Sequence, residues 1–200
     1  MEKKVEVQDQ RVIFDDKFKI REAHVRYMRF DGQMSKPERR LVFERGDSAA
    51  AIIVHSEQKK VLLTNQFRYP AYGKDADSGW VQEVVAGVID EGEQPEETIR
   101  REIQEEIGYT VHELTPIATF FVSPGGTSER VFLYYAEVNE ADRTSQGGGL
   151  ISENEDIQLI ELSFDELWQQ LRAGTLIDAK TLIAAQWLQL RIQQGEKRFS

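Results

Sequence analysis

Eight carboxylates crowd the stretch from Asp90 to Glu106: Asp90, Glu91, Glu93, Glu96, Glu97, Glu102, Glu105 and Glu106. Ile99, Ile103 and Ile107 recur every four residues within it, which is one face of a helix. On that helix Glu102 and Glu106 are i,i+4 and Glu102 and Glu105 are i,i+3, so the three acids adjoin. Each such like-charge pair costs a helix a few tenths of a kcal/mol, roughly 0.2–0.5. Two readings follow. A solvated acidic face, softened by Arg100 and Arg101, needs no ligand. Alternatively the acids hold a hard divalent cation, for which carboxylate oxygens are the preferred ligands and which removes the repulsion. A cation there also lets an acidic protein bind a phosphate.

The helix needs ends and a support. Pro95 suits its first turn and Gly108 its termination. Upstream, the first 45 residues read as strands: Ile20 to Phe30, a turn at Asp31-Gly32, then Leu41 to Glu44. Ala49 to Val54 and Val61 to Phe67 form a second hairpin around Ser56–Lys60. A loop with Pro70, Gly73, Asp75, Asp77 and Gly79 leads into a strand from Trp80 to Val85. After the helix come strands Ile117 to Val122 and Val131 to Val138, joined through a Ser-Pro-Gly-Gly turn at Ser123 to Gly126. Ser145 to Gly149, ending in three consecutive glycines, reads as a mobile loop. A last strand, Ile157 to Leu162, precedes amphipathic helices at Phe164 to Arg172 and Thr181 to Gln194. Strands on both sides of a central helix, with helices at the end, indicate an α+β or αβα sandwich.

Composition bounds the function. Two hundred residues, 40% hydrophobic and 30% charged, suit an ordinary globular domain with a small appendage. The net charge of −10 repels nucleic acid phosphate and anionic membrane, so neither is an expected partner. The absence of cysteine excludes disulfides, zinc-thiolate sites, iron–sulfur clusters and cysteine nucleophiles. No apolar run reaches about 18 residues, and the polar start at Met1 is no signal peptide, so the expected location is cytoplasmic. There is no Gly-x-Ser-x-Gly elbow and no P-loop. His24, His55 and His112 lack metal spacing and read as structural.

The spacing of the acidic helix carries a resemblance. Gly87, five residues, Glu93, seven residues, then Arg101-Glu102-Ile103-Gln104-Glu105-Glu106-Ile107-Gly108 is similar to the Nudix hydrolase signature, with every defining Gly, Glu and Arg position filled. Tyr109 departs from a usually aliphatic last position. Further stretches resemble the bacterial ADP-ribose pyrophosphatases: Arg39-Arg40, Gln66-Phe67-Arg68, Ser123 to Arg130, Glu153 to Ile157 and Gln186 to Leu190. The related GDP-mannose pyrophosphatases share much of this, and Asp77-Ser78-Gly79, Gly147 to Gly149 and Asp178 to Thr181 lean toward them.

The resemblance implies a fold, a reaction and roles. The fold is α+β, a Nudix αβα sandwich with a mixed sheet and an N-terminal β subdomain. Residues 1–45 would be a dimerisation segment of a homodimer and residues 46–200 the hydrolase domain. The reaction is hydrolysis of a nucleoside diphosphate sugar, ADP-ribose to AMP and ribose 5-phosphate or, alternatively, GDP-mannose, with Mg²⁺ or Mn²⁺. Glu102 and Glu106 would be the main metal ligands, joined by Glu155 and the backbone carbonyl of Ala86. Glu105 would stand close by, and Arg101 would hold the acids by ion pairing. The base is carried to Glu153 on a mobile loop, with the assignment between Glu153 and Glu155 open. Arg40 and Arg68 are candidates for the phosphates or terminal ribose, against surface ion pairing. Ser123, Gly125 and Gly126 would approach substrate through their backbone, or form only a tight turn. Phe18, Tyr27 and Trp80 are aromatic candidates for stacking on a base, against core packing. A rival of another class is a module that senses a nucleotide sugar without cleaving it. Such a module would be expected to lose metal ligands, and Glu102, Glu105 and Glu106 are all retained.

Overall fold

The computed structural model describes residues 3–74 and 79–195, the side chain of Glu153 excepted. The loop acids Asp75 and Asp77, and Ser78, lie outside the described residues. Two compact units result, one reaching to Asp47 and taking in Phe121–Arg130, the other formed by Ser48–Phe120 and the chain from Val131 onward.

The first unit is an antiparallel sheet of β1 (Val5–Asp15), β2 (Lys19–Tyr27) and β3 (Glu38–Glu44), in that order. β2 and β3 are the expected pair around Gly32, which sits at φ +81°. β1 is a long further strand pairing from Val5↔Tyr27 to Asp15↔Lys19 with two irregularities of register. Its sequence alternates poorly, so period alone did not mark it. Glu22 holds the middle of this sheet. Arg11 forks onto its Oε1 at 3.0 and 2.9 Å, and Arg39 pairs with Oε2. The turn at Ser123–Gly126 is drawn onto β3: the Phe43 amide donates to the Gly126 carbonyl at 2.8 Å.

The second unit is a seven-stranded mixed sheet between helices. Its main path runs β10 (Gln158–Ser163), β5 (Lys60–Phe67), β4 (Ser48–His55), β9 (Arg130–Val138), β8 (Thr115–Phe121). β4 and β9 are parallel in register from Ser48↔Val131 to His55↔Val138. The other defined pairs are antiparallel. β4 and β5 share only Ile53–His55 and then part. The expected strand at Trp80–Val85 is accordingly two strands: β6 (Trp80–Glu83) follows β5, and β7 (Val85–Val88) crosses to β4. A short helix α1 (Tyr69–Tyr72) opens the loop before β6.

β4 is buried along its whole length, as a strand covered on both faces must be. Ala50, Ile52 and Val54 join the core beneath α3 (Phe164–Ala173) and α4 (Ala179–Gln193), with Leu167, Ala184, Ala185 and Leu188. Ala49, Ala51 and Ile53 join the opposite core, with Ile99, Ile103 and Ile107 of α2 (Pro95–Ile107). Tyr109 tolerates its departure from an aliphatic residue by packing in this second core, edge-on to the buried His55 at 6.0 Å. Among the described residues no helix is long and apolar enough to cross a membrane.

The glycine run is not free chain but a strap on the end of α2. Gly147, Gly148 and Gly149 all take positive φ, +67°, +108° and +80°. The Gly148 amide donates to the Glu106 carbonyl at 2.9 Å and the Gly149 amide to the Glu105 carbonyl at 3.0 Å. Carbonyls that a helix end leaves unpaired are thereby satisfied. A Cβ on Gly147 would stand 2.5 Å from the Glu106 carbonyl oxygen and 2.7 Å from Ile107. Gly147→Ala should therefore cost more than the ~1–3 kcal/mol of a strained left-handed residue alone. Gly174→Ala, at φ +70° with open space around it, is the matched control for strain without collision. Urea midpoints should place the Gly147 variant at least ~1 kcal/mol below the Gly174 variant, since overpacking adds ~1–3 kcal/mol; equal midpoints would contradict the strap.

Candidate active site

α2 begins where the sequence indicates. Gln94 caps it, Pro95 takes the first turn, and the Glu97 carboxylate accepts from the Gln94 amide at 3.0 Å. Gly108 ends it in the left-handed conformation. The apolar ridge of the three isoleucines fixes the helix on the sheet. That leaves Glu102 and Glu106, one turn apart, facing β7.

Gly87 is the contact that allows this. A Cβ there would lie 2.0 Å from Glu102 Oε1 and 2.1 Å from Cδ. No side chain fits between strand and helix at this point, so the glycine is required for close approach and not for a special φ. Glu106 is only 2% exposed, and the Ala86 backbone amide hydrogen-bonds its carboxylate. Its Oε2 is buried with no hydrogen-bond partner. The acidic face is thus not the solvated surface of the simpler reading: two of its acids are withdrawn from water.

Arg101 ties the acids together. Its guanidinium donates to Glu102 Oε1 at 2.8 Å, Glu105 Oε2 at 3.1 Å and Glu93 Oε2 at 3.3 Å. Glu93 is braced in turn by the Thr98 hydroxyl at 2.7 Å. Burial works against charge on Arg101, but the hydrogen bond to Glu93 and the fields of Glu102, Glu93 and Glu105 outweigh it and raise its pKa further. Burial pushes Glu102 up to about 7; Arg101 opposes the shift, and Glu105 and Glu155 add to it. Burial likewise raises Glu106 well above the ordinary carboxylate range, reinforced by Glu102 and Glu155 and opposed by the Ala86 amide and Arg68.

Glu155 reaches this site from the strap. Its Oε2 accepts from the Leu150 amide at 3.0 Å, and a Cβ on Gly149 would meet that oxygen at 2.7 Å. Glu153 closes a 3-10 turn at Ile151–Glu153, and its side chain lies outside the described residues. Among the described residues no three acidic or imidazole side chains converge closely enough to form a ready metal cage. Glu102 Oε1 is instead engaged by Arg101. The donor set nonetheless suits a hard cation. It consists of carboxylates, and among the described residues it contains a buried carboxylate oxygen, Glu106 Oε2, with no hydrogen-bond partner.

Arg68, at the end of β5, forks onto Glu83 Oε2 with Nε and Nη2 both at 2.7 Å. Glu83 also accepts from Lys180. The anchor pair Glu83 and Lys180 escaped the sequence reading, because residues 97 positions apart on a strand and a helix share no local pattern.

Of the remaining substrate candidates, Arg40, Ser123, Gly125 and Gly126 belong to the first unit. Arg40 lies on β3 and pairs with Glu38. Ser123, Gly125 and Gly126 form the turn that β3 holds, and a Cβ on either glycine would meet nothing within 4 Å. Of the aromatic candidates, Phe18 packs edge-on to Phe43 at 5.3 Å and Trp80 to Phe67 at 5.3 Å. Trp80 and Tyr27 keep exposed faces. His24 pairs with Asp9 and His112 with Asp142, both at exposed positions.

Comparison with known proteins agrees with this geometry. The NUDIX domain model matches residues 45–185. The chain is 38% identical over 191 residues to the ADP-ribose pyrophosphatase of Escherichia coli (strain K12), covering 94% of this chain and 90% of that one. It is 35% identical over 187 residues to the GDP-mannose pyrophosphatase of Cronobacter sakazakii, covering 94% and 96%. A GDP-mannose pyrophosphatase of Enterobacter sp. (strain 638) is 32% identical over 190 residues, 95% of this chain and 97% of its own. With the family model matched over more than half its length and relatives above 30% identity along nearly all of it, this chain belongs to the Nudix hydrolases.

Proposed function

We propose that the chain hydrolyses the diphosphate of ADP-ribose, water and ADP-ribose giving AMP and ribose 5-phosphate, with Mg²⁺ as the working cation and Mn²⁺ as a substitute. The observation that carries the reading is the partnerless, buried Oε2 of Glu106 beside Glu102 and within the field of Glu155. These three carboxylates, with the Ala86 carbonyl, would hold the cation. When bound it neutralises charge developing on the phosphate oxygens and acidifies a water.

The chain's own residues supply the rest. Arg101 holds Glu102 and Glu105 in place, so that the acids do not splay apart under their own repulsion. Glu153 is the proposed base, with Glu155 the alternative and Glu105 after them; a carboxylate is suited to take the proton of the attacking water. Arg68 and Arg40 are assigned to the phosphates or the terminal ribose, since guanidinium matches phosphate oxygens in a fork. Ser123, Gly125 and Gly126 offer backbone donors on the first unit. The β1–β3 unit is assigned to a homodimer. A cytoplasmic location, with no nucleic acid or membrane partner, fits the charge of −10.

GDP-mannose is the second reading, supported by the relatives that carry that activity in their names. Turnover of ADP-ribose, GDP-mannose, dinucleoside polyphosphates and NADH with Mg²⁺, with products identified, separates the two. ADP-ribose should have the highest kcat/KM. A higher value for GDP-mannose would exchange the readings, and no turnover of any would favour a sensor.

Glu106→Gln should lower turnover by on the order of a hundredfold or more, as loss of a transition-state charge stabiliser does. Because the native carboxylate is costly to bury, the same variant should melt higher than the parent at pH 8 in the presence of a chelator. It should also lose the parent's stabilisation by added Mg²⁺. A variant that melts lower and still responds to Mg²⁺ would remove Glu106 from the site.

Cation affinity should rise with pH through about 7. Glu102 titrates near there in the folded protein, against an ordinary value of 4.5, so protons compete with the cation below that pH. Mn²⁺ titrations at pH 6, 7 and 8 should show the steepest gain between the first two. Glu102→Gln should flatten that gain while weakening affinity throughout.

A further inference from the structure

Arg68 does not stand alone. Its guanidinium spends one edge, Nε and Nη2, on Glu83 Oε2. Glu83 is 6% exposed, and its other oxygen, Oε1, accepts from Lys180 Nζ at 3.2 Å. Lys180 has a side chain only 16% exposed and also donates to Asp178 Oδ1 at 2.7 Å. Asp178 caps α4, its Oδ2 accepting from the Thr181 amide at 2.9 Å and the Thr181 hydroxyl at 2.7 Å. The Thr181 hydroxyl in turn accepts from the Val84 amide at 2.8 Å, closing the path back to the strand that carries Glu83.

This is a closed relay of two acids and two bases, most of it out of water. A buried lysine left to itself would shed its proton. Burial lowers its pKa, but Glu83 and Asp178 more than offset this and keep it charged. Breaking one member leaves an uncompensated charge inside the protein. A surface ion pair would need none of this: a half-exposed arginine such as Arg68 gains little from a partner in water. Fixing Glu83 from behind instead fixes which way the arginine's other edge faces.

We propose that Lys180, acting through Glu83, is a positioning residue for Arg68, setting the guanidinium to receive the substrate's diphosphate. The inference rests on the reading of Arg68 as a diphosphate ligand. It extends that site to a residue on α4 that no local motif joins to it. The relay holds Arg68 in one rotamer before substrate arrives, so the ordering of a long side chain is not charged to binding. It also keeps the positive end of Arg68 within range of Glu106, whose carboxylate it favours.

The test is steady-state kinetics on the full chain with the preferred substrate of the panel and saturating Mg²⁺, for Arg68→Gln, Lys180→Met, Lys180→Arg and Glu83→Gln. Lys180→Met should raise KM about tenfold, the scale of one charge-assisted hydrogen bond, with kcat within about threefold. Lys180→Arg should recover most of the loss. Combining Lys180→Met with Arg68→Gln should add little to Arg68→Gln alone. Thr181→Val, which loosens the α4 junction but leaves Glu83 and Lys180 in place, should lower Tm without moving KM. If Lys180→Met does not fold, Glu83→Gln carries the same expectation, since it removes the charge that links the two cations at constant volume. A normal KM in Lys180→Met or Glu83→Gln, beside a raised KM in Arg68→Gln, overturns the relay and leaves Arg68 as a ligand. A normal KM in Arg68→Gln overturns the assignment of Arg68 and the relay with it. A KM raised equally by Thr181→Val reduces Lys180 to a structural strut and overturns the proposal.

Discussion

The site depends on keeping like charges together at partial burial. Glu102 and Glu106 lie one helical turn apart against β7, with Glu105 and Glu155 close enough to raise the cost of ionising one or both. Nothing in a helix favours that arrangement. It persists because Ile99, Ile103 and Ile107, on the adjoining stripe of the helix, lock α2 to the sheet, so the acids have no freedom to rotate into solvent. Arg101 then joins Glu93, Glu102 and Glu105 through one planar cation. Lysine, a point charge with three donors, would not span the same set.

Two close approaches make the arrangement fit. Gly87 lets the helix sink until Glu102 lies on the strand, and Gly147 lets the strap sit on the carbonyls at the helix end. The strap does two jobs with one set of glycines. It satisfies the Glu105 and Glu106 carbonyls, and it leads into Leu150, whose amide holds Glu155 within the field of Glu102 and Glu106. The backbone of α2 and the loop carrying Glu155 are therefore one mechanical piece at that point.

Legibility followed locality. The acidic helix, its proline start and glycine end, and the β4–β5 hairpin were readable because each is written within about 20 residues. The signature positions were readable for the same reason, and they fall inside the stretch that the family model matches, residues 45–185. β1 was poorly marked because it lies in a small exposed sheet, where neither face demands strict alternation. The break between β6 and β7 was invisible because Val84 and Val85 carry the strand pattern across it without a turn residue. It exists only because β4 and β5 diverge and each needs a partner. The burial of Glu106 could not be read from a string of charges that looks solvated. The glycine run read as freedom, whereas the amides of Gly148 and Gly149 are bonded to the carbonyls at the end of α2, partners that lie about 40 residues away in sequence.

What the acidic composition leaves unanswered is how such a protein receives a diphosphate at all. The net charge of −10 opposes any phosphate at long range. Locally the answer is pairing of unequal quality. Arg101 is consumed by four acids and is not offered outward. Arg68 is bound by one acid, on one edge, and that acid is already shared with Lys180. Lys180 takes the other oxygen of Glu83, so the carboxylate stands between two cations. Here the lysine is inside and the arginine half-exposed, so of the two cations on Glu83 it is the arginine that solvent, and any anion it carries, can reach.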